Sequence, residues 1–512
     1  MIRAVTNYGE IRGKKKEEYL AFRGIPYAKP PVGRLRFRPT QEPEPWEGIR
    51  DCTKFGAPAL QLFAASHVLQ PNILEISSED CLYLNVNTPA IKKVSNNSQD
   101  LVPDDTAALP VYVFLHGGAF ETGGSNMPLY RGENFVNQGI VYVNINYRMS
   151  IFGFMALEEF RNESSVTGCF GIQDALQALK WVKENISAFG GDPENITVGG
   201  ESAGAFITSA LMGLREAQGL FQRCILESGS IVGLNSVARY GAGNPEIYLE
   251  NSRRVAKDLG ASDSAEGVEL LRRLPAQDLL KAWFFREDGS YRGTRTDPVL
   301  KGFLFDEDYA VDPRSQYIND VDLLFGFNTD EGTIFADKNL TPKDYENYLR
   351  KVYPELAGEL MERYPVDQEH PPFVQCAEII GLSAFKASML PYADRLSESG
   401  RAVYGYHFDY LTERLRREGF GCRHIAELNF VFRKDLKYVG GDDEKGEEIA
   451  SFMNDAWCNF IKTGKPAERW PRYDSSSPQV MRIGSEIRPE KMERLEELRY
   501  FEKILLENNP EK

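Results

Sequence analysis

Between residues 111 and 212 the chain switches repeatedly between two apolar patterns, and that alternation narrows the folds open to it. Val111–Leu115 and Ile140–Ile145 are apolar runs of the kind required by strands covered on both faces. Downstream, apolar residues at 172, 175, 176, 179 and 182 recur at helical spacing. Asn195–Val198 then reads as a strand and Ala203–Met212 as a helix. Strand, helix, strand, helix is the order of a parallel sheet wrapped by helices. Further strands are expected at Leu82–Asn87, Leu323–Phe327 and Val403–Phe408, and the chain opens with β-hairpin character around Asn7–Gly13. The expectation is a single α/β domain over residues 1–512, with a large, mixed, mostly parallel sheet flanked by helices and helical insertions between 244 and 300.

Several conspicuous segments have ordinary structural readings. Trp283-Phe284-Phe285 is expected in the core rather than in a substrate cleft. Lys14–Glu18 reads as a solvated turn, residues 91–109 as a polar connector, and Lys491–Lys503 as an amphipathic helix lying on the body. The Asn-x-Ser/Thr matches at Asn96, Asn162, Asn185 and Asn195 carry little weight without a secretion signal.

Lys and Arg total 60 against 75 Asp and Glu, a net charge of -15, which argues against nucleic acid as the main ligand. No stretch reaches the apolar length of a membrane span, because Leu109–Leu115 is short and contains Pro110. The first residues read as a strand rather than a signal core, and seven cysteines in 512 residues are too few for a disulfide scaffold. A soluble, cytoplasmic chain acting as a monomer or weak homo-oligomer is the expectation.

Chemistry concentrates in a few short motifs. Gly200-Glu201-Ser202-Ala203-Gly204 is a G-x-S-x-G placed directly between a strand and a helix, where a sharp turn projects the serine hydroxyl above the sheet. His116-Gly117-Gly118-Ala119-Phe120 closes the strand Val111–Leu115 and supplies glycine-rich backbone that can approach a developing oxyanion. A serine nucleophile needs a base, and the base needs a carboxylate to fix its tautomer. Of the histidines at 67, 116, 370, 407 and 424, two lie in polar loops, His407 lies in an aromatic strand and His116 belongs to the oxyanion turn. His424 follows a glycine-rich bend. Glu331, just beyond a strand, is the acid candidate, with Asp330 beside it as an open alternative.

The chain resembles type-B carboxylesterases, the family of carboxylesterases, cholinesterases and their bacterial relatives. The likeness runs from about residue 5 to residue 475. It includes Phe22–Ala28, Ser78–Asn85, His116–Phe120, Asn146-Tyr147-Arg148, Phe189–Pro193, Gly200–Gly204, Glu227–Ser230, Asp330-Glu331-Gly332, His424 with Glu427, and Trp470–Tyr473. The resemblance implies an α/β-hydrolase fold with the site in a gorge. It implies Ser202 as nucleophile, His424 as base and Glu331 as acid. It further implies the amides of Gly118, Ala119 and Ala203 as oxyanion donors, and Glu201 and Ser228 as support around the triad. No metal or cofactor is implied.

Some positions depart from the family pattern. Ala119 replaces the commoner glycine, Cys169 an asparagine and Lys301 an aspartate. Cys81 matches one half of a loop disulfide of secreted members, yet no cysteine lies between Gly56 and Gln61, which leaves Cys52 as a substitute partner. The expected function is hydrolysis of carboxyl esters, broad in scope, through an acyl-enzyme. A hydrolase dedicated to one natural ester or amide is the nearest alternative, and a non-catalytic cholinesterase-like binding protein the remote one.

Overall fold

The computed structural model describes residues 2–62, 72–94, 100–164, 167–235, 245–292, 296, 313–314 and 317–507. His67, Asn96, Lys301 and part of the 244–300 insertion lie outside them. The chain divides into two compact units.

The first unit comprises residues 1–224, 244–309 and 317–319. Its strands run in the order Lys14–Lys15, Leu20–Pro26, Tyr83–Thr88, Val141–Ile145, Leu109–Leu115 and Gly191–Glu201. The first four pair antiparallel and the last three parallel, so the sheet is mixed. Both apolar runs form strands with every core position buried, and the helical spacing becomes Phe170–Asn185, the crossover into Gly191–Glu201. Its start is locked by Arg148, which donates two hydrogen bonds of 2.8 Å to the Asp174 carboxylate, both side chains being buried. Trp283 and Phe284 sit in the core with Phe37, Phe152, Phe160 and Phe170.

The second unit comprises residues 225–243, 310–316 and 320–512. It holds the C-terminal part of the strand Arg223–Glu227, followed in order by Asp322–Asn328, Val403–Phe408, Gln479–Ile483 and Ile487–Lys491. Asp322–Asn328, Val403–Phe408 and Gln479–Ile483 pair parallel, and the last strand closes an antiparallel hairpin.

Several expectations are revised. Lys16–Glu18 is the exposed turn expected, but Lys14–Lys15 before it is a short edge strand paired with Leu20 and Ala21; lysines on an edge deter further pairing. The C-terminal helix is Leu495–Glu507, because Lys491 is taken by the preceding strand. Pro372–Glu398 is a helical run long and apolar enough to cross a membrane, which the sequence reading overlooked, but it is mostly buried in protein, as a core helix is. All seven cysteines are buried free thiols, so Cys52 and Cys81 do not pair.

Candidate active site

In the first unit the strand Gly191–Glu201 ends at Ser202, whose backbone takes φ +55° and ψ -124°, and the helix Ala203–Met212 begins at the next residue. Positive φ is strained for a residue with a Cβ. The turn is tight because its glycines meet the neighbouring strand. A Cβ on Gly204 would lie 2.0 Å from the Leu115 carbonyl oxygen, and one on Gly200 would lie 2.5 Å from the Gly204 carbonyl carbon. Ser202 is half-buried between fully buried Glu201 and Ala203.

The strand Leu109–Leu115 runs directly into the turn His116–Phe120, which lies against the serine. A Cβ on Gly117 would stand 2.6 Å from Glu201 Oε2 and 3.1 Å from Ser202 Cβ. Gly118 takes φ +114°, and Ala119 and Phe120 follow at +54° and +60°. The Gly118 carbonyl accepts the N–H groups of Glu121 and Thr122 at 2.9 and 3.0 Å. The amides of Gly118, Ala119 and Ala203 donate to no partner among the described residues. Unpaired N–H groups beside a serine are suited to an oxyanion, and Ala119 supplies its N–H as glycine would. His116 has a packing role: its Nδ1–H donates to Gly117 O at 2.7 Å, and its ring stacks on Tyr147 at 4.6 Å. Burial pushes its pKa down to about 4 and keeps it neutral.

In the second unit the acid and base candidates meet. His424 Nδ1 lies 2.5 Å from Glu331 Oε2, with the Glu331 side chain 0% and the His424 side chain 3% exposed. The imidazole is wedged against Phe385 and Phe335, at ring distances of 4.5 and 5.2 Å. Glu331 Oε1 accepts the Ser228 hydroxyl and the Asn328 N–H, both at 2.7 Å. Asp330 is occupied elsewhere: its Oδ2 accepts the Cys422 N–H at 2.7 Å. His370 pairs with Asp367 on the surface, and His407 binds Thr329.

Sequence reasoning gave no role to Glu427. This fully buried carboxyl lies 3.2 Å from the Ser228 hydroxyl and takes the Asn328 side-chain amide at 2.5 Å. Burial, and then the charge of Glu331, push its pKa up to about 7. The Ser228 hydroxyl has one proton to give. When it serves Glu331, the Glu427 contact is made by a proton on Glu427. The signal was present in the spacing, three residues past His424, but only the fold shows that the side chain is buried beside a second carboxylate.

A sequence profile of the carboxylesterase family matches residues 2–501. The chain belongs to the carboxylesterase family. Like its relatives, this carboxylesterase is a serine-type carboxylic-ester hydrolase. It is 32% identical to the para-nitrobenzyl esterase of Bacillus subtilis (strain 168) over 94% of each chain. It is 30% identical to the cholinesterase of Mus musculus over 94% of this chain and 83% of that one. Among solved structures it is similar to a PNB esterase, with TM-score 0.80 and 30% identity over 98% of this chain and 99% of that one. A Geobacillus stearothermophilus carboxylesterase gives TM-score 0.79 and 32% identity over the same shares. The fold class is that of the α/β-hydrolases, a large mixed sheet flanked by helices.

Proposed function

We propose that this carboxylesterase works through an acyl-enzyme formed on Ser202, with His424 as general base and Glu331 as the acid that holds its tautomer. The observation that carries the reading is the strained Ser202 backbone, held at φ +55° between glycines that tolerate no Cβ. A nucleophile presented in this way has no packing reason to be a serine. Ser202 gives its proton to His424 as its oxygen attacks the ester carbonyl, and the amides of Gly118, Ala119 and Ala203 receive the oxyanion. His424 then protonates the leaving alkoxide. Water, deprotonated by the same imidazole, attacks the acyl-enzyme and releases the acid. Losing one oxyanion donor in such a site costs about 3–4 kcal/mol of transition-state stabilisation. Glu201 buttresses the turn at Gly117, and Ser228 steadies Glu331.

The substrate range is read as broad. Relatives near 30% identity are named for unlike substrates, among them phenmedipham hydrolase and fumonisin B1 esterase, so one dedicated ester or amide is the second reading. Turnover of aryl esters with short, long and aromatic acyl groups separates the two. The seven free thiols fit a reducing compartment, and we place the enzyme in the cytoplasm as a monomer or weak homo-oligomer. The deciding experiment is covalent. An organophosphate or a sulfonyl fluoride should label one serine stoichiometrically, with the adduct on Ser202. Undiminished labelling of Ser202→Ala would remove the nucleophile.

A further inference from the structure

In the second unit, away from the hydrolytic residues' own contacts, His407, Glu490 and Glu493 bring three potential ligand atoms within 4.8 Å of one another. His407 lies on the strand Val403–Phe408 and Glu490 on Ile487–Lys491, one strand apart, and Glu493 follows in the next turn. Glu490 Oε2 is paired with Arg482 and Arg488, and hydrogen bonding leaves its other oxygen unsatisfied. Glu490 Oε1 is buried and accepts no hydrogen bond, and it faces His407 Nδ1 at 3.6 Å, beyond hydrogen-bond reach. The other imidazole nitrogen, Nε2, lies 3.0 Å from Thr329 Oγ1, and that hydroxyl can donate in turn to the Phe408 carbonyl at 3.4 Å. In the tautomer with the proton on Nε2, that chain of bonds leaves the Nδ1 lone pair free beside the carboxylate oxygen, as a metal ligand requires. In that tautomer a cation between the two atoms replaces their repulsion with attraction.

The spacing fits such an ion. A metal with nitrogen and oxygen ligands at about 2.1 Å in tetrahedral geometry holds its ligand atoms about 3.4 Å apart. His407 Nδ1 and Glu490 Oε1 are near that separation already, both side chains being more than nine-tenths buried. Glu493, half exposed, can close the remaining gap by rotating. The hydrogen bond from Nε2 to Thr329 supplies the outer contact that orients a ligating histidine. The surrounding charges are mixed. Arg482 bonds Asp409, Glu490 and Glu493, Arg488 reaches Glu490 Oε2, and Lys386 donates to the Thr329 carbonyl. Of these, the Arg482 contact with Glu493 is the one an ion must displace.

We propose that His407, Glu490 and Glu493 form a binding site for a divalent transition ion of the zinc class, separate from the ester chemistry and fastening the hairpin Gln479–Lys491 to the neighbouring strand. A nitrogen donor with two carboxylates selects zinc or cobalt over calcium and magnesium.

The test is titration of the full chain, without a histidine tag, with Zn2+ and Mg2+ by calorimetry and thermal unfolding. One saturable zinc site and a raised unfolding temperature are expected, with no response to Mg2+. His407→Gln should weaken zinc binding tenfold or more, and the surface variant Glu493→Ala, which leaves the fold intact, severalfold. Arg482→Gln should tighten it by removing the competing cation. His370→Ala, which removes the exposed pair with Asp367, should change nothing. Equal zinc affinity in the wild type, His407→Gln and Glu493→Ala would overturn the site, as would binding lost in His370→Ala or the absence of saturable binding.

Discussion

Replacing Glu331 by glutamine isolates one function of the carboxylate. Three donors meet it: Ser228 and Asn328 at Oε1, His424 at Oε2. Glutamine keeps the shape but has one acceptor oxygen. Two donors converge on the Oε1 position, so the amide oxygen belongs there, and the NH2 group then faces His424 Nδ1. An N–H facing Nδ1 forces the imidazole proton onto Nε2, the nitrogen that has to be bare to take a proton from serine. The loss is therefore of the working tautomer rather than of the fold. In a serine-protease triad the corresponding Asp→Asn exchange lowers kcat about 10,000-fold, equivalent to about 5.5 kcal/mol. Asp330→Asn is the control, because an asparagine oxygen can still accept the Cys422 N–H, and its effect should stay below about tenfold, or 1.4 kcal/mol. Steady-state kcat and KM on an aryl acetate, with unfolding midpoints of both variants, make the comparison. The reasoning fails if Glu331→Gln keeps activity within tenfold of the wild type, and the reverse ranking moves the acid to Asp330.

Four further outcomes can be checked. The ester-hydrolysis kcat/KM should rise with pH along a single ionisation and level off on the alkaline side, unchanged by a chelator; activity lost on chelation and restored by a divalent metal would replace the proposed reaction. Glu427 has a folded-state pKa of about 7 against an ordinary 4.5, so the folded protein binds the extra proton between those values. Its stabilising contribution is present below pH 4.5 and lost as pH rises through 7, by about 3 kcal/mol at most, and Glu427→Gln should flatten that slope in chemical denaturation at pH 5 and pH 8. Gly204→Ala places a Cβ 2.0 Å from the Leu115 oxygen and should abolish reaction with a sulfonyl fluoride, while normal labelling would show that the turn relaxes. Asp174→Ala leaves the Arg148 guanidinium buried without its carboxylate and should lower stability by about 3–5 kcal/mol in urea; a loss under 1 kcal/mol would mean that water replaces it.

The elements most legible in the sequence are those whose pattern is set by burial on both faces. Val111–Leu115 and Ile140–Ile145 carry the pattern of covered strands, and the helical spacing at 172–182 marked the crossover helix. The short edge strand at Lys14–Lys15 was hidden because two lysines look the same on a solvated turn and on a protected edge. In the site, Ser202 and the His116–Phe120 turn were legible because each motif is contiguous. The pairing of His424 with Glu331 spans 93 residues, and spacing alone left Asp330 equally eligible. Glu427 was out of reach, since its meaning depends on Ser228, 199 residues away, and on a burial that no single position announces.

Backbone strain ties these observations together. Eleven described residues other than glycine have positive φ. In the first unit Ala119, Phe120 and Ser202 are among them, along with Ser150, whose N–H donates to the Phe120 carbonyl at 2.8 Å. In the second unit they include Ser228, which holds Glu331, and Ile425, which follows His424. Such conformations cost of order 1–3 kcal/mol each and persist only where surrounding contacts over-determine them. A β-branched isoleucine at φ +69° is the least tolerant of the set. Six of the eleven are those just named, and the other five, Phe37, Ala108, Arg433, Asp435 and Arg494, lie elsewhere in the chain. Local contacts hold these segments: the Gly118 carbonyl accepts two amides, and Ser228 bonds Glu331. Held in this way, the turn His116–Phe120 would spend no substrate-binding energy on ordering its own backbone, which is what the proposed stabilisation of an oxyanion requires.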